Sequence, residues 1–222
     1  MQLILLGLPG AGKGTQAQLL AQHLGLLHIS TGDMFRQAAA EGTDLGTRAQ
    51  AYMSRGELVP DEVTIGMLLE RIQRPDAAAG IMLDGFPRTL PQAEALDAAL
   101  TDQARAIDAV LYIKVPEELL MARLTGRWSC PNCGAIYHEL SSPPAEAGKC
   151  DACGAALAQR ADDRPDTVRA RLDTNRTWTE ALADYYEAQT KLHPVDGTGE
   201  PAAVTERLEA AIASVSSAAE KA

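Results

Sequence analysis

The sequence predicts an α/β fold, a parallel sheet covered by helices on both faces, and three observations carry that expectation. Short apolar runs that halt at a glycine or an acid alternate with longer helical stretches. The first of these runs passes directly into a glycine-rich turn. Two segments interrupt the alternation, one helical after Ser30 and one broken by Pro, Gly and Cys from about residue 126. For 222 residues, at about 150 per domain, one main domain with two inserted subdomains fits better than two independent units.

Taken in order, residues 2–6 are an apolar run stopped by Gly7, the mark of a buried strand. A helical stretch runs from about Lys13 to Leu24, and Leu26–Ile29 reads as a second short strand. Thr31–Arg74 reads as three helices punctuated by Gly42, Gly46, Gly56 and Pro60. The apolar residues Ile81, Met82 and Leu83 form the next strand, closed by Asp84 and Gly85. Leu90–Leu100 is helical, with Pro91 accepted in the first turn. Ala109–Val115 is a strand and Pro116 to about Arg127 a helix. Residues 126–163 read as irregular, interrupted by Pro131, Gly134, Pro143, Pro144, Gly148 and Gly154. Asp166–Lys191 makes one long helix, His193–Asp196 a last strand and Pro201–Ala219 a final helix. The Ala/Ser/Glu/Lys tail is expected to fray.

Hydrophobic residues at 46% and charged ones at 23% exclude disorder and collagen-like structure, and a chain this long buries a core without staples. Thirty acidic side chains against twenty Lys and Arg give a net charge of -10. Such a surface repels polyanions, so neither nucleic acid nor an anionic membrane is expected as partner. No run approaches the ~18 apolar residues of a membrane span. Met1–Gly7 lacks a basic leader, and the expected location is the cytoplasm.

Gly7-Leu8-Pro9-Gly10-Ala11-Gly12-Lys13-Gly14-Thr15 lies between a strand and a helix. There, loop N–H groups and a helix N-terminus converge on phosphate oxygens, as in a P-loop. Lys13 supplies charge to the outer phosphates and Thr15 a hydroxyl near Mg2+. The strict pattern has Ser or Thr directly after the lysine; here Gly14 intervenes, which marks a subfamily.

Cys130-Pro131-Asn132-Cys133 and Cys150-Asp151-Ala152-Cys153 are two C-x2-C pairs separated by 16 residues. Disulfide scaffolds spread cysteines through short secreted chains, whereas this clustering points to metal. Two knuckles can set four thiolates tetrahedrally around Zn2+, a closed and therefore structural site. It would hold together a small subdomain without a core of its own. With four cysteines as ligands, His138 is a bystander.

These motifs, in order along the whole chain, resemble the adenylate kinases of the nucleoside monophosphate kinase family. The likeness runs through GLPGAGKGTQ (residues 7–16), Ser30–Arg36, Asp84–Gln92, Gly126-Arg127, Arg160–Asp163 and Val195–Thr198. The four-cysteine segment is similar to the zinc-bearing, long-lid branch found in bacteria. The resemblance implies a P-loop core of 1–29, 60–125 and 164–222, a helical AMP-binding insertion of 30–59 and a zinc lid of 126–163. It implies reversible transfer from ATP to AMP giving two ADP, with Mg2+, by a monomer.

The resemblance also assigns residues. Gly10, Ala11, Gly12, Lys13, Gly14 and Thr15 would hold ATP, with Arg127, Ile136, Tyr137 and Gly199. Thr31, Arg36, Glu57, Leu58, Val59, Gly85, Phe86, Pro87, Arg88 and Gln92 would hold AMP, with Arg160 and Arg171 closing in. Lys13, Asp84, Arg88, Arg123, Arg160 and Arg171 would carry the chemistry. Arginines suit it because they stay charged and grip phosphate bidentately. Arg123 and Arg127 read as four apart on one helical face, clasping ATP phosphates or pairing with Glu117 or Glu118. Asp84, at the C-terminal edge of the sheet, either orients Mg2+ or caps the Gly85 turn. Asp162 and Asp163 fix lid closure or the metal's waters, or Asp163 caps a helix before Pro165. Thr31 reads as a helix N-cap as well, and the Gln92 amide suits an adenine edge.

Other classes fit less well. A guanine-reading N-K-x-D is absent, since Asn175-Arg176-Thr177-Trp178 does not match it, and Gly85 stands where an ATPase motor offers a glutamate. Glu139 and Glu146 against Lys149 oppose a nucleic-acid-reading ribbon.

Overall fold

A computed structural model describes residues 1–219; residues 220–222, the end of the tail expected to fray, lie outside it. The chain runs β1 (Gln2–Leu6), α1 (Lys13–Leu24), β2 (Leu27–Ser30), α2 (Thr31–Ala40), α3 (Asp44–Met53), α4 (Asp61–Ile72) and β3 (Ile81–Asp84). It continues through α5 (Leu90–Thr101), β4 (Ala109–Lys114), α6 (Glu117–Thr125), β5 (Arg127–Ser129) and β6 (Ile136–His138). It closes with α7 (Pro165–Ala188), β7 (Leu192–Asp196) and α8 (Pro201–Ala219).

Five strands form a parallel sheet in the order β2-β3-β1-β4-β7. Side-chain alternation along β1 sends Leu3 and Leu5 to one face and Ile4 and Leu6 to the other. The first face packs on Ala17 and Leu20 of α1, Leu120 of α6 and Leu208 of α8. The second packs on Leu68 of α4, Leu96 of α5 and Tyr186 of α7. Every residue of β1 is therefore buried, which is why Leu3–Leu6 read as an unbroken apolar run; Gln2, at its start, is buried with its Oε1 accepting from Arg105 at 2.7 Å. Truncating Leu20 to Ala would cost about 2–5 kcal/mol.

The chain steps from β3 across β1 to β4, so the sheet's switch point lies at β1, where α/β sites open. Register aligns Leu5 and Ser30 with Asp84, so the phosphate loop, the start of α2 and the Gly85 turn leave the sheet side by side.

Three details depart from the sequence reading. Gly46 does not separate helices but lies inside α3, where an added Cβ would fall 2.1 Å from the Ala38 backbone carbon of α2. Close helix packing explains that glycine. Second, α6 ends at Thr125 with Gly126 as its C-cap, so Arg127 begins a strand and does not share a helical face with Arg123. Third, the segment read as irregular contains the β5–β6 antiparallel hairpin, pairing Arg127 with His138, Trp128 with Tyr137 and Ser129 with Ile136. Three-residue strands between Pro and Gly carry too little periodicity to be read from sequence.

Candidate active site

The loop after β1 is shaped by backbone that side chains would block. Gly7 has φ 149°, and a Cβ there would meet the Ile113 carbonyl at 2.7 Å. Gly12, at φ 94°, precedes α1 without a side-chain cap, and no acid lies in the first turn. The first N–H groups of α1 are thus left for an anion. Lys13 folds back across the loop, its Nζ donating to Gly7 O at 2.7 Å and Leu8 O at 3.0 Å. Burial pulls its ammonium down to about 8, with Asp84 acting in the opposite sense. A Cβ on Gly14 would stand 3.3 Å from Asp84 Oδ2. A longer side chain after the lysine would crowd that carboxylate, which explains the glycine.

Asp84 is 9% exposed, and among the described residues no hydrogen bond from the Gly85 turn ends on it. The capping role therefore does not hold. Instead the Gly85 carbonyl accepts from Thr31 Oγ1 and from Arg88 Nε, both at 2.8 Å. Thr31 is not the N-cap of α2: Ser30 is, accepting from Asp33 N–H at 3.2 Å. Burial, then the neighbouring charge of Arg171, lowers the Arg88 guanidinium to about 10, so it stays charged at neutral pH.

Two chambers, both open to solvent, adjoin this row, and their volumes include that open space. One, of about 540 Å³, is lined by Thr31, Arg36, Glu57, Leu58, Val59 and Gln92, together with Arg88 and Arg171. The other, of about 430 Å³, is walled by Gly7, Pro9, Lys13, Gly85, Pro87 and Trp178. Arg88, Arg171 and Asn175 line both. The Phe86 side chain packs into the core at 1% exposure, which leaves its backbone to meet AMP. Asn175 escaped the sequence reading. Its signal was a polar residue on the buried stripe of α7, one turn after Arg171, whose carbonyl accepts its Nδ2 at 2.7 Å.

Further cations close in from the far side. Arg127 donates to both oxygens of Asp163, at 2.8 and 2.5 Å, and Arg171 reaches Asp162 at 2.9 Å and Asp163 at 3.2 Å. Asp163 thus serves these arginines; α7 is capped by Arg164 without a side-chain bond. Burial pushes the Asp162 carboxyl up, but Arg171, Arg127, Arg36 and Arg160 together outweigh it and hold it low. Arg160 is itself lowered to about 10 by burial and by Arg36, and its Nε is buried without a partner. Arg36 pairs with Asp33. Cations thus outnumber carboxylates here, in a chain of net charge -10. Arg123 stands apart, its Nη2 donating to Gly197 O at 3.1 Å and so holding the loop that carries Gly199. Glu117 pairs with Arg176, not with Arg123 or Arg127.

A family model described as adenylate kinase matches residues 5–191. The chain belongs to the adenylate kinase family. An adenylate kinase of Archaeoglobus fulgidus is 52% identical over 217 residues, which is 98% of this chain and 100% of that one. Adenylate kinases of Geobacillus sp. (strain WCH70) and Lysinibacillus sphaericus are each 54% identical over 197 residues, 89% of this chain and 91% of theirs.

This adenylate kinase family member carries a compact thiol cluster. Cys130 and Cys153 sulfurs lie 3.4 Å apart, Cys133 and Cys150 3.5 Å, and all four fall within 4.8 Å of one another. Disulfide sulfurs would be about 2.05 Å apart; a metal with sulfur bonds of about 2.3 Å spaces them by about 3.8 Å. The cysteines therefore lie close enough together to hold a metal ion. The two knuckles match: Gly134 N–H donates to Cys130 O at 3.0 Å, and Gly154 N–H to Cys150 O at 2.8 Å. Both glycines have positive φ, 76° and 73°. His138 stays outside, its Nε2 3.2 Å from Ala122 O on α6.

Tyr137 and Ile136 part company. The hairpin turns Tyr137 inward, 8% exposed, its hydroxyl 3.5 Å from Cys150 Sγ and accepting from Asp151 N–H at 2.7 Å. That hydroxyl leads the groups that pull the Cys150 thiol down to about 6. Ile136 is 41% exposed, and its strand neighbours place it on the face of Arg127.

No helix among the described residues is long and apolar enough to cross a membrane.

Proposed function

We propose that the protein moves the terminal phosphoryl group of ATP to AMP and back, yielding two ADP, across the junction of the two chambers. The observation that carries this reading is the pair of arginines, Arg88 and Arg171, common to a chamber walled by Lys13 and one walled by Thr31, Arg36 and Gln92. Phosphoryl transfer asks little covalent help of a protein; it needs alignment and neutralisation of spread charge. Lys13 and the N–H groups of residues 10–15 hold the ATP phosphates, with Arg123, Arg127, Ile136 and Gly199 on the same nucleotide. Arg36 and Arg88 hold the AMP phosphate as the attacking group, while Thr31, Leu58, Val59 and Gln92 surround its base. Arg160 and Arg171 approach both nucleotides when 126–163 closes on the core 1–29, 60–125 and 164–222. Excluding water at that moment strengthens every one of these contacts.

Asp84 and Thr15 offer hard oxygen donors beside the loop, which suits Mg2+. When bound with ATP, that ion supplies further neutralisation of phosphate oxygens. Four thiolates suit Zn2+ and leave no coordination position open, so that metal would be structural. Such thiols persist in a reducing compartment, in keeping with the cytoplasm, and one chain lines both chambers, in keeping with a monomer.

The reading is tested by giving the purified protein ADP and Mg2+ alone and following 31P resonances. Equal ATP and AMP are expected. Release of inorganic phosphate with AMP but without ATP would contradict it.

A further inference from the structure

Asp61 opens α4, two residues beyond Val59 in the wall of the larger chamber. Its carboxylate accepts from Thr89 Oγ1 at 2.8 Å and from Gln92 Nε2 at 2.7 Å. Gln92 is 1% exposed, and its Oε1 accepts from the Arg88 backbone N–H at 2.8 Å. Both of these partners are one-directional, since a backbone N–H only donates and a carboxylate only accepts. Turning the Gln92 amide over would set nitrogen against N–H and oxygen against carboxylate oxygen. One orientation alone satisfies both.

That orientation leaves Gln92 one N–H and one carbonyl lone pair, in a side chain that lines the chamber. A 6-aminopurine shows an accepting ring nitrogen beside a donating amino group, the complement of that pair. A 6-oxopurine shows an N–H beside a carbonyl, so it meets the same amide with like groups opposed. We propose that Asp61 is a positioning residue whose hold on the Gln92 amide makes the chamber prefer 6-aminopurine monophosphates to 6-oxopurine ones. The proposal rests on the reading of Gln92 as the side chain that faces the base. Thr89 braces the same carboxylate, so the start of α4 and the turn after Arg88 are fixed together.

The readout is the ratio of kcat/KM for AMP to that for IMP, with KM and kcat separated. In Asp61→Ala the amide is held at one end only, by the Arg88 N–H, so turning over to suit a 6-oxopurine costs one hydrogen bond where it had cost two. KM for AMP rises about threefold to tenfold with kcat within about twofold, and the AMP-to-IMP ratio falls about tenfold. Asp61→Asn still offers Gln92 an oxygen and restores most of the ratio. An Asp61 that merely stabilises the first turn of α4 would lower the melting temperature and leave the ratio unmoved, and that outcome overturns the proposal. Gln92→Ala, measured alongside, separates the two readings. An unchanged ratio there removes Gln92 as the reader and the proposal with it. A changed ratio there, with Asp61→Ala unmoved, removes the role of Asp61 alone. Should Asp61→Ala fail to fold, Asp61→Ser keeps a polar helix start, is too short to reach Gln92, and is judged by the same ratio.

Discussion

Arg127 grips both carboxylate oxygens of Asp163, and Asp163 has no side-chain exposure at all. A carboxylate fills here the same two-pronged fork that a phosphate would use. Arg171 shares one of its oxygens and also pairs with Asp162, so two adjacent carboxylates face two cations drawn from different parts of the chain.

Removing the Asp163 carboxylate leaves Arg127 without its partner in a shielded site, beside an Arg171 that keeps only Asp162. Asp163→Ala should cost about 3–5 kcal/mol of stability without nucleotide. Saturating ADP should return part of it, because phosphate oxygens take the vacated forks. Urea unfolding with and without ADP measures this. Equal ADP-dependent gains in variant and parent would defeat the assignment of Arg127 and Arg171 to phosphate.

Arg88 is spent on positioning and charge, not on holding the core. Its Nε bonds the Gly85 carbonyl, and its burial alongside Arg171 is unfavourable to the charge it carries. Arg88→Ala should fold with an unchanged circular dichroism spectrum while kcat drops about 10²–10³-fold. Undiminished turnover would reject its place at the junction of the chambers.

Lys13 sets a pH dependence. In the nucleotide-free fold burial lowers its ammonium from 10.5 to about 8. Between those values the unfolded chain binds more protons, so this group makes the fold more stable as pH rises from about 8 to 10.5. Below that window lysine is charged in both states and the burial penalty is fully present. Phosphates in the loop favour the charged lysine, so nucleotide binding at about pH 9 takes up a proton. Titration calorimetry of ADP in two buffers of unlike ionisation enthalpy reads the uptake. Lys13→Met should abolish it; the same uptake in Lys13→Met would place the proton elsewhere.

The Tyr137 hydroxyl lies 3.5 Å from Cys150 Sγ and would orient that thiol toward a bound metal from outside the thiol shell. Tyr137→Phe keeps the packed ring and removes the bond, and zinc should then be lost to a chelator about tenfold more readily. Stripping the metal outright should lower the melting temperature and speed hydrogen exchange within 126–163 more than in the sheet. Unaltered exchange in 126–163 without metal would exclude a structural role.

Much of this was legible in the chain. Lys13–Leu24 emerged with its sequence-read boundaries because Gly12 and Gly25, both at positive φ, bound it. The strands ending at Leu6 and Asp84 were marked by apolar runs buried on both sheet faces. The four cysteines announced their own cluster through spacing. What stayed hidden depended on tertiary placement. Nothing local distinguishes an Asp61 that braces Gln92 from an acid favouring a helix start, or turns Tyr137 inward and Ile136 outward. Arg127 looked helical because Gly126 at a C-cap and Gly inside a helix read alike, and Ser30 and Thr31 are equally good caps until one hydroxyl is claimed by Gly85.

The most direct measurement is a coupled assay of purified protein with ATP, Mg2+ and each nucleoside monophosphate in turn. Fast formation of ADP with AMP, and far slower transfer to UMP or CMP, is the result expected of the chamber lined by Thr31, Arg36 and Gln92. Preferred transfer to UMP or CMP, or none to any monophosphate while ATP still binds, would contradict it.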